Sequence, residues 1–166
     1  MKKFIAAFLL IFIVNLGCKK MDIGGGGLCA CSLMPQTQLS LIIKNNIGAD
    51  LLNPVTTGYF DKNKIQLYYK DANNVIKQIN FDISKPFTYS NDLKINYYQL
   101  NSSEIVIQSK SIENFYLKLG DGKVYELNLK TSNYAVEKLS IDKAEAPKEF
   151  PSVTTAPFNS IYTLKI

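Results

Sequence analysis

The sequence has 166 residues with 19 lysines and 14 acidic residues, which gives a formal net charge of +5. The lysines are spread along the chain without a run of five like charges, so composition does not indicate a nucleic-acid partner. Arginine, histidine and tryptophan are absent, which removes the bidentate phosphate-binding side chain, the commonest general base and metal ligand, and the largest ring for stacking.

The N-terminus has the pattern of an export signal. Lys2 and Lys3 precede an apolar run over residues 4–14, and Leu16-Gly17-Cys18 follow. A basic start, a short apolar run and small residues before a cleavage point are typical of a secretion signal. The run is shorter than the roughly 20 apolar residues of a membrane-spanning helix. We therefore predict a helical signal peptide, residues 1–17.

Cys18, directly after the predicted signal peptide, is a candidate site of lipidation. The segment resembles the lipobox of bacterial lipoproteins, in which the cysteine thiol receives a diacylglycerol and the chain is cut just before it. Asn15 departs from the lipobox pattern, which has an apolar residue three positions before the cysteine. The alternative is an ordinary secretion signal that leaves Cys18 as a plain thiol. Two acyl chains hold a protein stably on a bilayer, so lipidation at Cys18 predicts a membrane-anchored protein.

Residues 18–37 have the composition of a flexible tether, with four consecutive glycines, Gly24 to Gly27, and no periodic apolar pattern. This segment contains Cys29 and Cys31. With no histidine and no second cysteine pair in the chain, the two thiols do not indicate a metal site. A disulfide between residues two apart would close a strained, readily reduced ring. A local disulfide, free thiols and an intermolecular disulfide all remain open.

From Leu39 onward apolar residues alternate with polar ones, which predicts β-strands. A long connection over residues 45–63 is punctuated by Gly48, Asn53-Pro54 and Gly58. Short turns at residues 71–74 and at Gly120-Asp121-Gly122 predict hairpins. The predicted strands cover residues 39–44, 65–70, 75–83, 93–98, 104–109, 115–119, 125–129, 134–141 and 161–166.

These strands predict one all-β domain, residues 38–166. About nine short strands at spacings near ten residues are typical of an antiparallel β-sandwich of the immunoglobulin or fibronectin type. A small open β-barrel is the alternative. No stretch after Cys18 has the periodicity of a helix.

The sequence does not predict an enzyme, a cofactor or a metal site. It contains no G-x-S-x-G nucleophile elbow and no H-E-x-x-H motif. Asp50, Asn53 and Asp61 share the first long connection, but their spacing does not match a calcium-binding loop.

Three tyrosines are the strongest candidates for a ligand surface. The alternation predicts that Tyr68, Tyr98 and Tyr116 point outward, beside the amides of Gln78, Asn80 and Asn96. Amphipathic rings next to amides can stack on a sugar or contact a protein. The alternative is cross-strand pairing that merely stabilises an exposed sheet face.

Larger stretches of the chain carry a family resemblance. The lipobox, the Gly-rich Cys-x-Cys tether, the segment IIKNNIGADLLNP and the tyrosine-rich IQLYYK together resemble small uncharacterised lipoproteins of Bacteroidota. The resemblance implies attachment to the outer membrane, facing either the periplasm or the exterior. Lys19 and Lys20 follow the lipidated position and only Asp22 is acidic, which leaves the direction open.

The function we expect is that of a lipid-anchored envelope protein with a non-enzymatic binding or structural accessory role. Its partners would be the membrane, through the anchor, and a protein or glycan ligand. A carbohydrate-binding lipoprotein of a glycan-uptake system is the alternative, and an envelope enzyme with converging carboxylates is the third hypothesis.

Overall fold

The computed structural model describes residues 38–90, 93–132, 135–152 and 158–166, which all belong to one compact unit, Pro35–Ile166. The predicted signal peptide and tether, with Cys18, Cys29 and Cys31, lie outside these ranges. The strands are β1 (Leu39–Lys44), β2 (Ile65–Lys70), β3 (Ile76–Gln78), β4 (Asp82–Ser84), β5 (Phe87–Ser90), β6 (Leu93–Ile95), β7 (Gln99–Ser102), β8 (Phe115–Leu119), β9 (Val124–Ser132), β10 (Ala135–Ile141), β11 (Ala144–Glu145) and β12 (Ile161–Lys165), and one short helix is α1 (Glu104–Gln108).

Most of these strands belong to two sheets. One has four strands in the order β12-β1-β7-β4, and the other has six in the order β11-β10-β9-β8-β2-β3. Strands β5 and β6 form a separate antiparallel pair. Among the described strands only β1 and β12 pair in parallel. The predicted all-β, sandwich-like fold is confirmed, and none of the described sheets closes into a barrel.

The main core comprises apolar side chains from both large sheets. The six-stranded sheet contributes alternate residues, as the period-two pattern predicts: in β8, Phe115, Leu117 and Leu119 are buried while Tyr116 and Lys118 are partly exposed. The four-stranded sheet contributes Leu41 and Leu100 among others. Full burial of one such side chain stabilises the fold by about 1.5–3 kcal/mol relative to its exposure, so this shared cluster holds the two sheets together.

Strand β1 is buried on both faces, although its sequence alternates. All six of its residues are buried, including Ser40 and Lys44. Ile42 belongs to a second apolar cluster with Ile95, Phe158 and Ile161. This cluster lies on the outer side of the four-stranded sheet because Ile42 alternates with Leu41, which packs into the main core.

Tyr162 of β12 connects the two large sheets. Its ring is buried, and its hydroxyl donates a hydrogen bond of 3.1 Å to the carbonyl of Val136 in β10. Burial raises the pKa of Tyr162 to about 12, and the nearby carboxylates of Glu145 and Glu137 act in the same direction. The neutral phenol therefore persists well above neutral pH as a link between the sheets.

The predicted strand over residues 75–83 is wrong as a single element. Strand β3 pairs with β2 of the six-stranded sheet, whereas β4 pairs with β7 of the four-stranded sheet. The Ile79 backbone N–H still donates to Leu67, at 2.8 Å, and the chain then passes to the other sheet. Alternation continues through such a crossing, so the pattern alone does not reveal it.

Residues 104–109 were predicted as a strand, and this prediction is also wrong. Residues 104–108 form α1, in which Ile105 and Val106 are buried and Ile107 has 58% of its surface exposed. β-Branched residues favour strands locally. A helix of little more than one turn is too short to produce a helical period, so the tertiary environment decides its conformation.

The hairpin between β8 and β9 forms at the predicted Gly120-Asp121-Gly122 turn. Gly120 has φ +58°, and a Cβ there would lie 3.6 Å from the Phe60 ring. The left-handed backbone conformation explains why residue 120 is a glycine, because a residue with a Cβ adopts this conformation only with steric strain.

Candidate functional site

The structure brings two of the three predicted tyrosines together. Tyr68 of β2 lies directly opposite Tyr116 of β8 on the outer face of the six-stranded sheet. Their rings are stacked, with centroids 5.3 Å apart and planes inclined by 26°. Gln78 of β3 lies opposite Tyr68 on the other side. The row Gln78-Tyr68-Tyr116 thus places an amide beside two phenol rings.

Tyr98 lies elsewhere. It directly precedes β7 of the four-stranded sheet, is half-buried, and packs against the main core. Its backbone N–H donates a 2.7 Å hydrogen bond to Asp50 Oδ2. Of the three predicted amide neighbours, Asn80 lies after β3 and donates two hydrogen bonds to Glu104, and Asn96 directly follows β6. The predicted surface is therefore a pair of tyrosines rather than a triplet.

A groove of about 350 Å³ is lined by Tyr116 of this pair. We call it the tyrosine groove. Tyr116 and Lys70 lie at its edge, and the Lys70 ammonium is 5.7 Å from the Tyr116 ring centroid. Its remaining lining residues come from two loops: Asp71, Asn74, Ser111, Ile112, Glu113 and Asn114. Carboxylates, amides and a hydroxyl thus surround one aromatic ring.

Both loops that line the tyrosine groove are held by hydrogen bonds. Asp71 Oδ1 accepts from the backbone N–H groups of Asn73 and Val75, both at 2.9 Å. Asn128 of β9 donates to Asn114 Oδ1 at 2.6 Å and to the Glu113 carbonyl at 3.1 Å. The groove is therefore largely preformed.

The turn at residues 71–75 also keeps the Asp71 carboxyl ionised. The hydrogen bond from the Val75 backbone N–H, with those from Asn73 and Lys77, lowers the pKa of the Asp71 carboxyl below its usual value. Lys77 Nζ lies 3.6 Å from Asp71 Oδ2. At neutral pH Asp71 is an ionised hydrogen-bond acceptor rather than a proton donor.

The sequence pattern identified the rings but not their polar neighbours. Residues 71–74 follow β2 and residues 111–114 precede β8, and the two regions meet only because β2 and β8 pair antiparallel. The sequence signal for this pairing is weak, since about 40 residues separate the two loops. A search for turn residues flanking the tyrosine strands would have found both segments.

The three polar residues of the first connection do not converge on one point. The carboxylate of Asp50 accepts from Leu52 and Tyr98, the Asn53 amide oxygen from Val55, and Asp61 from Asn63. Asn53 and Asp61 therefore stabilise their own turns, and Asp50 also connects the first connection to the segment before β7. Within the described ranges, no group of three or more acidic or cysteine side chains could hold a metal ion.

None of the helices in the part of the chain that the structure describes has the length and hydrophobicity to cross a membrane. Comparison with known proteins supplies no relative for the chain, since no protein-family model, no curated protein and no solved structure matches it.

Proposed function

We propose that this protein is a lipid-anchored, non-enzymatic binding domain of the bacterial outer membrane. The anchor is Cys18, and the ligand surface is the Tyr68–Tyr116 pair with the adjoining tyrosine groove. The single observation that carries the binding role is this stacked pair at the edge of a preformed polar groove.

The position of Cys18 at the end of the predicted signal peptide supports the lipid anchor. Cys18 directly follows Gly17 at the end of the short apolar run. A diacylglycerol on its thiol brings two acyl chains, and each buried methylene adds about 0.8 kcal/mol to membrane binding. Two chains are sufficient for stable attachment, so the β domain would remain at the membrane surface.

We expect Cys18→Ala to abolish lipidation, because alanine offers no thiol to the diacylglycerol. Cells expressing the full chain are fed labelled palmitate or glycerol, and label in the purified protein is measured. Cys29→Ala and Cys31→Ala are matched controls and should keep the full label. Incorporation that persists in Cys18→Ala would refute the anchor and leave the ligand surface untouched.

A non-enzymatic role is supported by the state of Asp71, one of the two carboxylates that line the tyrosine groove. Asp71 accepts two backbone N–H groups and is paired with Lys77, so its lone pairs orient the turn. Such a carboxylate can hold a ligand hydroxyl, but its lowered pKa makes it a poor proton donor near neutral pH.

A carbohydrate ligand is the second candidate, and the lining of the tyrosine groove favours it over a protein partner. Sugars present apolar C–H faces and hydroxyls that both donate and accept, which suit an aromatic ring beside amides and carboxylates. The protein would then be a glycan-binding lipoprotein of a glycan-uptake system.

We expect Tyr116→Ala to weaken glycan binding about tenfold, equivalent to about 1.4 kcal/mol, because the ring at the groove edge is removed. Binding is measured on a glycan array and then by calorimetry with the mature chain. Tyr59→Ala is the matched control, since Tyr59 is an exposed tyrosine before the start of β2, whereas the groove lies beyond its end. Equal losses in both variants would count against this surface.

A further inference from the structure

A second groove lies where the chain crosses between the sheets. We call it the crossing groove. It has a volume of about 560 Å³ and lies alongside β4, at an edge of the four-stranded sheet. Its lining is polar apart from the Phe81 ring, and it includes Asn80, Asp82, Ser84, Asn101 and Glu104. It shares no residue with the tyrosine groove.

The walls of the crossing groove are fixed by a hydrogen-bond network. Both the backbone N–H and the side-chain amide of Asn80 donate to Glu104 Oε2, at 2.9 and 2.8 Å. The Ser102 hydroxyl donates to the Asn80 carbonyl at 2.7 Å. These bonds connect the crossing segment to β7 and to the start of α1, so a ligand would meet walls that are already ordered.

Asn101 leaves this network incomplete. Its Nδ2 donates to Ser84 Oγ at 2.8 Å, whereas its buried Oδ1 has no hydrogen-bond partner in the described structure. A buried acceptor without a partner costs about 1–3 kcal/mol. Reversing the amide would give Oδ1 the Ser84 hydroxyl as donor and leave Nδ2 without an acceptor. In either orientation one buried polar atom of this groove residue lacks a partner.

We infer that the crossing groove binds a neutral saccharide unit. The carboxylates of Asp82 and Glu104 disfavour anionic ligands such as phosphates, and the polar lining disfavours a lipid. A sugar hydroxyl can both donate and accept, which satisfies Asn101 in either orientation of its amide. The Phe81 ring offers an apolar surface for the sugar's C–H face. The exposed Asp82 carboxylate pairs with Lys62 through Oδ1 and can accept a sugar hydroxyl at Oδ2.

The inference goes beyond the proposed function, because it places a second, independent site on the domain and does not depend on the anchor at Cys18. It is tested with the mature chain on an array of neutral and acidic glycans. Calorimetry with the neutral oligosaccharide that binds best follows. We expect Asp82→Asn and Asn101→Ala each to weaken binding about tenfold. Asp121→Asn, an exposed carboxylate in the β8–β9 turn, is the matched control and should leave affinity unchanged.

Thermal unfolding distinguishes a lost contact from a lost fold. Asp82 is exposed and its ion pair with Lys62 lies at the surface, so Asp82→Asn should leave the melting temperature nearly unchanged. Loss of binding in a folded Asp82→Asn variant supports the crossing groove. Binding that depends on Tyr116 but not on Asp82 or Asn101 overturns the inference and leaves the proposed tyrosine site standing. Binding of peptides without any neutral glycan overturns it as well.

Discussion

Replacing Lys44 with methionine is expected to lower the free energy of unfolding by about 3–5 kcal/mol. Lys44 Nζ lies 2.9 Å from both carboxylate oxygens of Glu149, and their side chains retain only 10% and 18% of their exposure. The ammonium also lies 3.7 Å from the Tyr97 ring centroid. Methionine fills the space of the lysine stem but leaves the Glu149 carboxylate in a poorly solvated site without its cation.

The double variant Lys44→Met/Glu149→Leu isolates the cause of this loss. Removing both charges together is often nearly neutral when apolar residues of similar volume replace a buried pair. Here Thr163 Oγ1, which donates to Glu149 Oε2 at 2.7 Å, loses its acceptor, so we expect recovery of most but not all of the stability. Urea unfolding followed by circular dichroism provides the measurement for each variant.

Lys138→Met is the matched control for Lys44→Met. Lys138 pairs with Glu145 at 2.6 Å, but both side chains are about half-exposed. Exposed ion pairs contribute about 0–1 kcal/mol, so this variant should unfold nearly as the parent does. A Lys44→Met variant as stable as Lys138→Met would mean that water solvates Glu149 and that the pair is not buried in solution.

Replacing Asp50 with alanine is expected to cost about 2–4 kcal/mol. The buried carboxylate accepts the Leu52 N–H at 2.9 Å and the Tyr98 N–H at 2.7 Å, and a hydrogen bond to a charged group contributes about 1.5–3 kcal/mol. Alanine leaves both N–H groups without this acceptor. Tyr98 directly precedes β7 and is 48 residues away from Asp50. The change therefore also removes a hydrogen bond between the first long connection and the segment that leads into β7.

Two comparisons make the Asp50 prediction specific. Asp50→Asn keeps one acceptor oxygen but turns an NH₂ group toward a backbone N–H, so its loss should be intermediate. Asp61→Ala removes a single bond to Asn63 N–H in an exposed turn and should cost about 1 kcal/mol. Amide hydrogen exchange should accelerate at both Leu52 and Tyr98 in Asp50→Ala, at one of the two in Asp50→Asn, and at neither in Asp61→Ala. Unchanged exchange at both amides would exclude the proposed role.

The local sequence pattern was sufficient to predict the structure wherever a strand has one buried face and ends in a well-defined turn. The alternation of β2 and β8 predicted which residues enter the core, and Gly120-Asp121-Gly122 predicted the hairpin that follows. The same alternation placed Tyr68 and Tyr116 on the outer face. These features depend on interactions between near neighbours, so the sequence contains enough information to specify them.

The apolar–polar alternation did not predict the structure where contacts with distant segments determine it. Strand β4 belongs to the four-stranded sheet although the alternation continues from β3, and residues 104–108 fold as a helix although three of the five are β-branched. Lys44 at the end of β1 is buried, and the Glu149 carboxylate that makes its burial tolerable is 105 residues away. No window of ten residues contains that information.

The sequence by itself determined an all-β domain, its main strands and turns, and the outward direction of Tyr68 and Tyr116. It also predicts export and lipidation at Cys18. Only the tertiary structure decided which strands are neighbours. Strand pairing therefore determines that Tyr98 lies apart from Tyr68 and Tyr116, and that the tyrosine groove and the crossing groove form. The physical reason is that side-chain alternation has a period of two along one strand and says nothing about its partners. Partners follow from burial and pairing over the whole chain.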